Sequence, residues 1–210
     1  MTEGEIQPLI SHFVGKSIKL GAKQCGGMAM IDETGWYQGA RHVPSPFYDQ
    51  RSDALDISLL VIHNISLPPG QFGGPYIEQF FTGKLEPSEH PFFEVIHQMG
   101  VSAHCLIRRN GEVIQFVPFS ARAWHAGQSS FAGREQCNDY SIGVELEGSD
   151  FVAYTEQQYQ ALSTLSVEIM RKYPKVTIPR ITGHQYIAPL RKTDPGLVFE
   201  WQRFKRSVSQ

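Results

Sequence analysis

The residues best placed to do chemistry lie near the end of the chain, in Thr182-Gly-His-Gln-Tyr-Ile-Ala-Pro-Leu-Arg-Lys-Thr-Asp-Pro-Gly196. This stretch brings His184, Lys192 and Asp194 together. Imidazole and carboxylate are ligands for a borderline divalent cation such as zinc. Side chains alternate along an extended backbone, so an extended Arg191–Asp194 would turn Lys192 and Asp194 to one side. A fixed cation beside a metal ligand is what an oxyanion site needs. A catalytic zinc usually takes three protein ligands, and His63, far upstream, is the candidate for the third. Spacing alone does not mark a metal, because the eight histidines include no His-Glu-x-x-His motif and the cysteines form no pair. Taken singly, Lys192 reads as a solvated lysine and Asp194, before Pro195-Gly196, as a turn former. Glu145 needs more explanation, since a carboxylate in an apolar strand is costly to bury without a partner.

The elements that must position these residues follow from hydropathy patterning. Ile57-Ser-Leu-Leu-Val-Ile-His63 reads as a buried strand with His63 at its carboxyl end, where open sheets bind ligands. Ser141–Glu147 alternates, with Ile142, Val144 and Leu146 on one face and Gly143, Glu145 and Glu147 on the other. Val101–Arg109 and Glu112–Val117 flank Asn110-Gly111, a hairpin signal. Arg180–Thr182 is a short strand leading to His184. Helices are expected over about Pro75–Thr82, Pro91–Gln98 and Val198–Ser207. Another follows Thr155-Glu-Gln-Gln158, a capping box, with Tyr159, Leu162, Leu165, Ile169 and Met170 on its apolar face. The irregular, proline-rich stretch from Asn64 to Gly100 reads as a functional rim. The expectation is α/β: a single domain with a mixed central β-sheet flanked by helices.

The 210 residues fit one domain over 30–210, preceded by a loose, flexible extension expected over 1–29, in which Gly15, Gly21, Gly26 and Gly27 break any helix. Met28 or Met30 is an alternative start. Hydrophobic residues at 41% and charged residues at 19% describe a globular chain. A net charge of −2 offers no electrostatic footprint for nucleic acid. No apolar run approaches the roughly 20 residues of a membrane span. The three cysteines, Cys25, Cys105 and Cys137, fit a reducing compartment better than a disulfide framework. No secretory signal precedes them, with Glu3 and Glu5 first and Lys16, Lys19 and Lys23 following. The expected localisation is cytoplasmic.

Several longer segments carry a family resemblance. They are Arg41–Arg51, Val61–Gly70, Val101–Arg109, Arg122-Ala-Trp-His-Ala-Gly127, Cys137-Asn-Asp139 with Ile142–Gly148, and Thr182–His184 through Arg191–Gly196. In this order, from about Trp36 to Phe204, they closely resemble the AmpD-type zinc-dependent anhydro-N-acetylmuramyl-L-alanine amidases of bacterial wall recycling. The wider family includes amidase-type phage lysozymes and peptidoglycan-recognition proteins. The resemblance implies a peptidoglycan-recognition-like fold and one zinc ion held by His63, His184 and Asp194. It implies hydrolysis of the amide between the lactyl group of anhydro-muramic acid and L-alanine, with an influence on β-lactamase induction. Glu145 matches the family's general base, where other branches carry tyrosine, and Lys192 the group that holds the oxyanion. Trp124 resembles a sugar-facing aromatic, and Asn64 would hydrogen-bond the sugar. His125 is grouped with the substrate contacts, its role otherwise open. His104 reads as a structural residue that orients its neighbours. The expected partner is a small muropeptide bound to a monomer, with no nucleic acid or membrane.

Two positions depart from the pattern. Gly100 and Gln136 stand where relatives commonly carry arginine, the residue suited to gripping a carboxylate. That predicts altered anchoring of the acidic stem peptide, with Arg134 or Arg122 as substitutes, and leaves the reaction class alone. Two other readings are a peptidoglycan-binding module without activity and a secreted autolysin. The intact set His63, His184, Asp194, Glu145 and Lys192 speaks against the first. The missing signal peptide speaks against the second.

Overall fold

The structure, a computed structural model, describes residues 30–209. The extension expected over 1–29 lies outside them. Ten strands and five α-helices form among the described residues: β1 (Arg41–His42), β2 (Tyr48–Gln50), β3 (Leu59–Ile65), α1 (Tyr76–Phe81), α2 (Pro91–Ile96), β4 (Cys105–Ile107), β5 (Val113–Gln115), β6 (Ala121–Ala123), β7 (Ser130–Phe131), β8 (Arg134–Glu135), β9 (Ser141–Glu147), α3 (Glu156–Lys172), β10 (Ile181–Gly183), α4 (His184–Ile187) and α5 (Trp201–Ser207).

Six strands make the main sheet, in the order β1-β5-β4-β9-β3-β10. β3 runs parallel to both β9 and β10, β4 parallel to β9, and β5 antiparallel to β4, so the sheet is mixed. The two long central strands are apolar because both of their faces are covered. Leu60, Ile62, Ile142, Val144, Leu146, Cys105 and Ile107 point to one face. There they pack with Leu162, Leu165 and Ile169 of α3 and with Phe199 and Phe204. α3 starts at the expected capping box, in which the Gln158 N–H donates to Thr155 Oγ1 and the Thr155 N–H donates to Gln158 Oε1.

On the opposite face, two smaller clusters leave a gap between them. One packs α1 and α2 over β4 and β5, with Phe81, Phe93, Leu106 and Phe116 at its centre. The other packs Ala126, Cys137, Tyr140 and Ile187 over Leu59 and Val61. The candidate functional residues sit in that gap.

The expected hairpin forms. The Arg108 N–H donates to Glu112 O, and Gly111 adopts φ +85°, a conformation glycine takes without strain. The strand expected over Val101–Arg109 is shorter, Cys105–Ile107, because its first residues bond to loops. Ser102 Oγ donates to Phe47 O and accepts from the Trp124 N–H. The last helix begins at Trp201 rather than Val198. Phe199 is instead drawn into the core, and the Glu200 N–H donates to Tyr159 Oη.

Candidate metal centre

Strand register places the first three functional residues. His63 of β3 lies level with Glu145 of β9. On the other side of β3, Gly183 pairs with Ile62, so the next residue, His184, comes level with His63. Three neighbouring strands thus deliver Glu145, His63 and His184 in a row at their carboxyl ends, the usual place for a ligand site. Asp194 arrives from the turn after α4. The Gln185 N–H donates to Asp194 O, and the Gly196 N–H donates to Thr193 O. Gly183 permits this approach, since a Cβ there would meet Pro195 Cδ at 2.8 Å.

His63 Nδ1, His184 Nδ1 and Asp194 Oδ2 form a triangle with sides of 2.9, 3.0 and 3.0 Å. Among the described residues it is the one grouping of three such side chains able to hold a metal ion. At most one proton, on His63 Nδ1, is available to these three atoms, so hydrogen bonding leaves the contact between His184 Nδ1 and Asp194 Oδ2 unrelieved. His184 Nε2 lies 3.1 Å from Ala126 O, which can only accept, so the proton of neutral His184 is on Nε2 and its Nδ1 is bare. That bare nitrogen faces a second imidazole nitrogen and a carboxylate oxygen. A cation resolves the clash. The donor spacing also suits one, because ligands about 2.0–2.1 Å from a tetrahedral zinc stand about 3.3 Å apart.

The electrostatics agree. Burial pulls the His63 pKa down to about 4, against the hydrogen bond with Asp194, so the imidazole is neutral near pH 7. Burial raises the Asp194 carboxyl, but its close contacts with the His184 and His63 imidazoles outweigh it and hold the group well below the usual carboxylate range. A neutral His63 and an ionised Asp194 are the protonation states that ligation requires of these two groups.

The triangle floors a cleft of about 390 Å³, whose lining includes Asn64, Trp124, Glu145 and Lys192. Lys192 and Asp194 therefore face one cavity, as expected, although they lie in a turn and coil rather than in a strand. Glu145 is buried, and its Oε2 has no protein partner. Burial raises its pKa well above the usual value, the Asp194 charge adds to the rise, and Lys192 opposes it. Trp124 Nε1 is likewise buried without a protein partner in the cleft wall. Asn64 also lines the cleft, with its Nδ2 donating to Asp150 Oδ1 at 2.8 Å.

Two further histidines, His104 and His125, support the site from behind. His104 is fully buried. The Gly143 N–H donates to its Nδ1, and its Nε2 donates to Ala121 O. His125 spends both ring nitrogens on protein, with Nδ1 2.9 Å from His63 Nε2 and Nε2 3.1 Å from Ser141 Oγ. Neither nitrogen is free for a substrate. Sequence reasoning missed Arg51, a buried guanidinium that donates to the carbonyls of Phe119, Asn138, Asp139 and Ser141 and so ties the loops behind the site together. Its acceptors are backbone carbonyls nearly seventy or more positions away in the chain, so nothing beside Arg51 in sequence signals such a role.

Comparison with known proteins places this geometry. Residues 53–197 match the family described as N-acetylmuramoyl-L-alanine amidase. The 1,6-anhydro-N-acetylmuramyl-L-alanine amidase AmpD of Escherichia coli K12 is 57% identical over 181 residues, covering 86% of this chain and 98% of the relative. The crystal structure of a selenomethionine AmpD derivative superposes with a TM-score of 0.82 at 56% identity, covering 85% of this chain and 99% of that one. The E. coli amidase AmiD, in complex with the substrate anhydro-N-acetylmuramic acid-L-Ala-D-γ-Glu-L-Lys, matches with a TM-score of 0.53 at 30% identity, covering 72% of this chain and 57% of that one. The chain belongs to the N-acetylmuramoyl-L-alanine amidase family.

Proposed function

We propose that this chain hydrolyses the amide between the lactyl group of 1,6-anhydro-N-acetylmuramic acid and L-alanine, using one zinc ion held by His63, His184 and Asp194. The observation that carries the reading is the triangle of donor atoms, open toward a cleft that also contains Glu145 and Lys192. The names of the relatives at 56–57% identity support the substrate class.

Zinc bound there would act as a Lewis acid and bring the pKa of a water to about 7. The chain's own residues do the rest. Glu145 accepts the proton of the attacking water and returns one to the leaving nitrogen of L-alanine. Its unpartnered Oε2 and raised pKa suit a group that must hold a proton part of the time. The Lys192 ammonium stabilises negative charge on the carbonyl oxygen as the carbon becomes tetrahedral. Trp124 offers the sugar an apolar face and an unpaired N–H, and Asn64 borders the same space. The anhydro-muropeptide is a product of wall turnover, so the reaction belongs to peptidoglycan recycling. The enzyme acts in the cytoplasm as a monomer, and removal of its substrate lowers β-lactamase induction. Among the described residues no helix is long and apolar enough to cross a membrane.

Metal analysis combined with mass spectrometry of anhydro-muramyl-peptide digests tests the reading. Wild type is expected to carry one zinc per chain and to release free stem peptide. Asp194→Ala should lose both. Wild-type protein that is zinc-free after zinc loading, or that leaves the muropeptide intact, would overturn it.

A further inference from the structure

Both candidate metal-binding imidazoles take their second nitrogen's partner from adjacent residues. The His125 side chain meets His63 Nε2 at 2.9 Å, and the Ala126 carbonyl meets His184 Nε2 at 3.1 Å. This dipeptide lies in no strand or helix. Its two backbone N–H groups share one acceptor, Asn138 Oδ1, at 3.2 Å from His125 and 2.8 Å from Ala126. Asn138 is itself fixed. It sits in the short 3-10 turn Cys137–Asp139, and Arg51 Nη1 donates to its carbonyl at 3.1 Å and to that of Asp139 at 3.0 Å.

We propose that Asn138 is a positioning residue for the metal centre, acting through His125 and Ala126 to set which ring nitrogen His63 and His184 present. The inference rests on the metal reading above and adds to it a residue outside the ligand set.

The tautomers follow from the partners. Ala126 O only accepts, so it keeps the His184 proton on Nε2 and leaves Nδ1 bare. The contact between His63 Nε2 and His125 Nδ1 holds one proton. If His63 donates it, His125 carries its own proton on Nε2, toward Ser141 Oγ at 3.1 Å, and His63 Nδ1 is bare. If His125 donates it, His63 must carry its proton on Nδ1, which then cannot bind a metal. Ligation selects the first arrangement, and Ser141 Oγ is in place to receive the end of that chain.

Space around His125 is reserved for it. A Cβ on Gly143 would lie 2.4 Å from His125 Cγ and 2.5 Å from Nδ1, so the glycine of β9 leaves the room in which the ring lies on the sheet. The Ala126 carbonyl is also gripped by Arg191, whose Nη2 donates to it at 2.7 Å. Partners of metal-binding histidines fix ring orientation and tautomer, and losing one typically lowers metal affinity about 10–100-fold.

The test compares wild type, Asn138→Ala and Asn138→Asp, which keeps an acceptor oxygen at the same place. Zinc affinity is read by competition with a chromophoric chelator. The His184 tautomer is read in metal-free protein from imidazole 15N shifts. Asn138→Ala is expected to bind zinc about 10–100-fold more weakly and to show mixed His184 tautomers. Asn138→Asp is expected to restore both. A folded Asn138→Ala with affinity within twofold of wild type and His184 still protonated on Nε2 would overturn the proposal. If Asn138→Ala does not fold, His125→Phe decides, since it keeps the ring and removes both nitrogens. A fall in affinity of about tenfold with the His184 tautomer unchanged supports the proposal, and unchanged affinity overturns it. Failure of the metal reading looks different, because wild type itself would then not compete for zinc.

Discussion

Replacing Glu145 with glutamine is expected to stabilise the metal-free protein while disabling it. The carboxyl is buried, its Oε2 has no protein partner, and the charged Asp194 lies across the same cleft. Burial and that charge together raise its pKa. A carboxyl raised in the folded state holds its proton more tightly folded than unfolded. Below the usual carboxylate range both states are protonated, and ionisation makes no difference to stability. As pH climbs past that range, the unfolded chain releases the proton while the folded chain resists, so stability falls. Glutamine removes this loss without changing side-chain volume. Each pKa unit by which the fold raises the carboxyl corresponds to about 1.4 kcal/mol of stability lost once the unfolded chain has ionised. For a chain of this size, each kcal/mol recovered raises Tm by about 2–4 °C. The assay is calorimetry of wild type and Glu145→Gln in chelator, at pH 4 and pH 8. The variant should melt higher at pH 8, with the two proteins converging at pH 4, and its turnover should fall about 10²–10⁴-fold. Equal melting temperatures at pH 8, or a lower one for the variant, would refute the argument that Glu145 is an unrelieved buried acid.

Further expectations concern neighbouring residues. Lys192→Met should lower kcat about 10²–10³-fold and leave zinc affinity, read by chelator competition, unchanged; a parallel loss of zinc would show that the lysine supports the ligands instead. Gly183→Ala should weaken zinc binding and lower Tm, because the added Cβ would stand 2.8 Å from Pro195 Cδ and push the Asp194 turn away; retained affinity would show that the turn has room to move. Gln136→Arg should raise kcat/KM more on tripeptide- than on monopeptide-bearing anhydro-muramyl substrates, since arginine adds a grip for a stem carboxylate that glutamine lacks. Gln136 is exposed and borders a second cavity of about 320 Å³ with Arg191, so the added guanidinium has solvent and space; equal effects on both substrates would defeat this account.

Local signals in the chain reported local structure well. The apolar alternation of Ser141–Glu147, the Thr155–Gln158 box and the Asn110-Gly111 turn each stabilise their element from within it, so they are legible in sequence. His184 and Asp194 were recognisable because they lie close together along the chain, and His63 because it ends an apolar run. Residues whose partners come from distant segments were not readable this way. Arg51 acts on carbonyls near residues 119 and 138–141, and His125 acts on a strand some sixty positions earlier. His125 carries a family resemblance that suggested substrate contact, yet its chemistry depends on which atoms the tertiary fold sets against its two nitrogens. The shortened β4 and the delayed α5 have the same origin, since Ser102 and Phe199 are drawn to tertiary partners that outweigh local preference.

The row formed by Glu145, His63 and His184 has a consequence for how such an enzyme can change. Its spacing is that of hydrogen-bonded strands, about 4.8 Å per step, and owes nothing to the lengths of the segments that join them. Insertions or deletions in the segments around residues 66–69 and 80–102, which line the cleft, would remodel what it admits while the hydrolytic apparatus stays in place. Grafting those segments between relatives should therefore exchange substrate preference without exchanging chemistry. A slip of β10 by a single position would do the reverse, turning His184 to the opposite side of the sheet with the cleft walls unaltered.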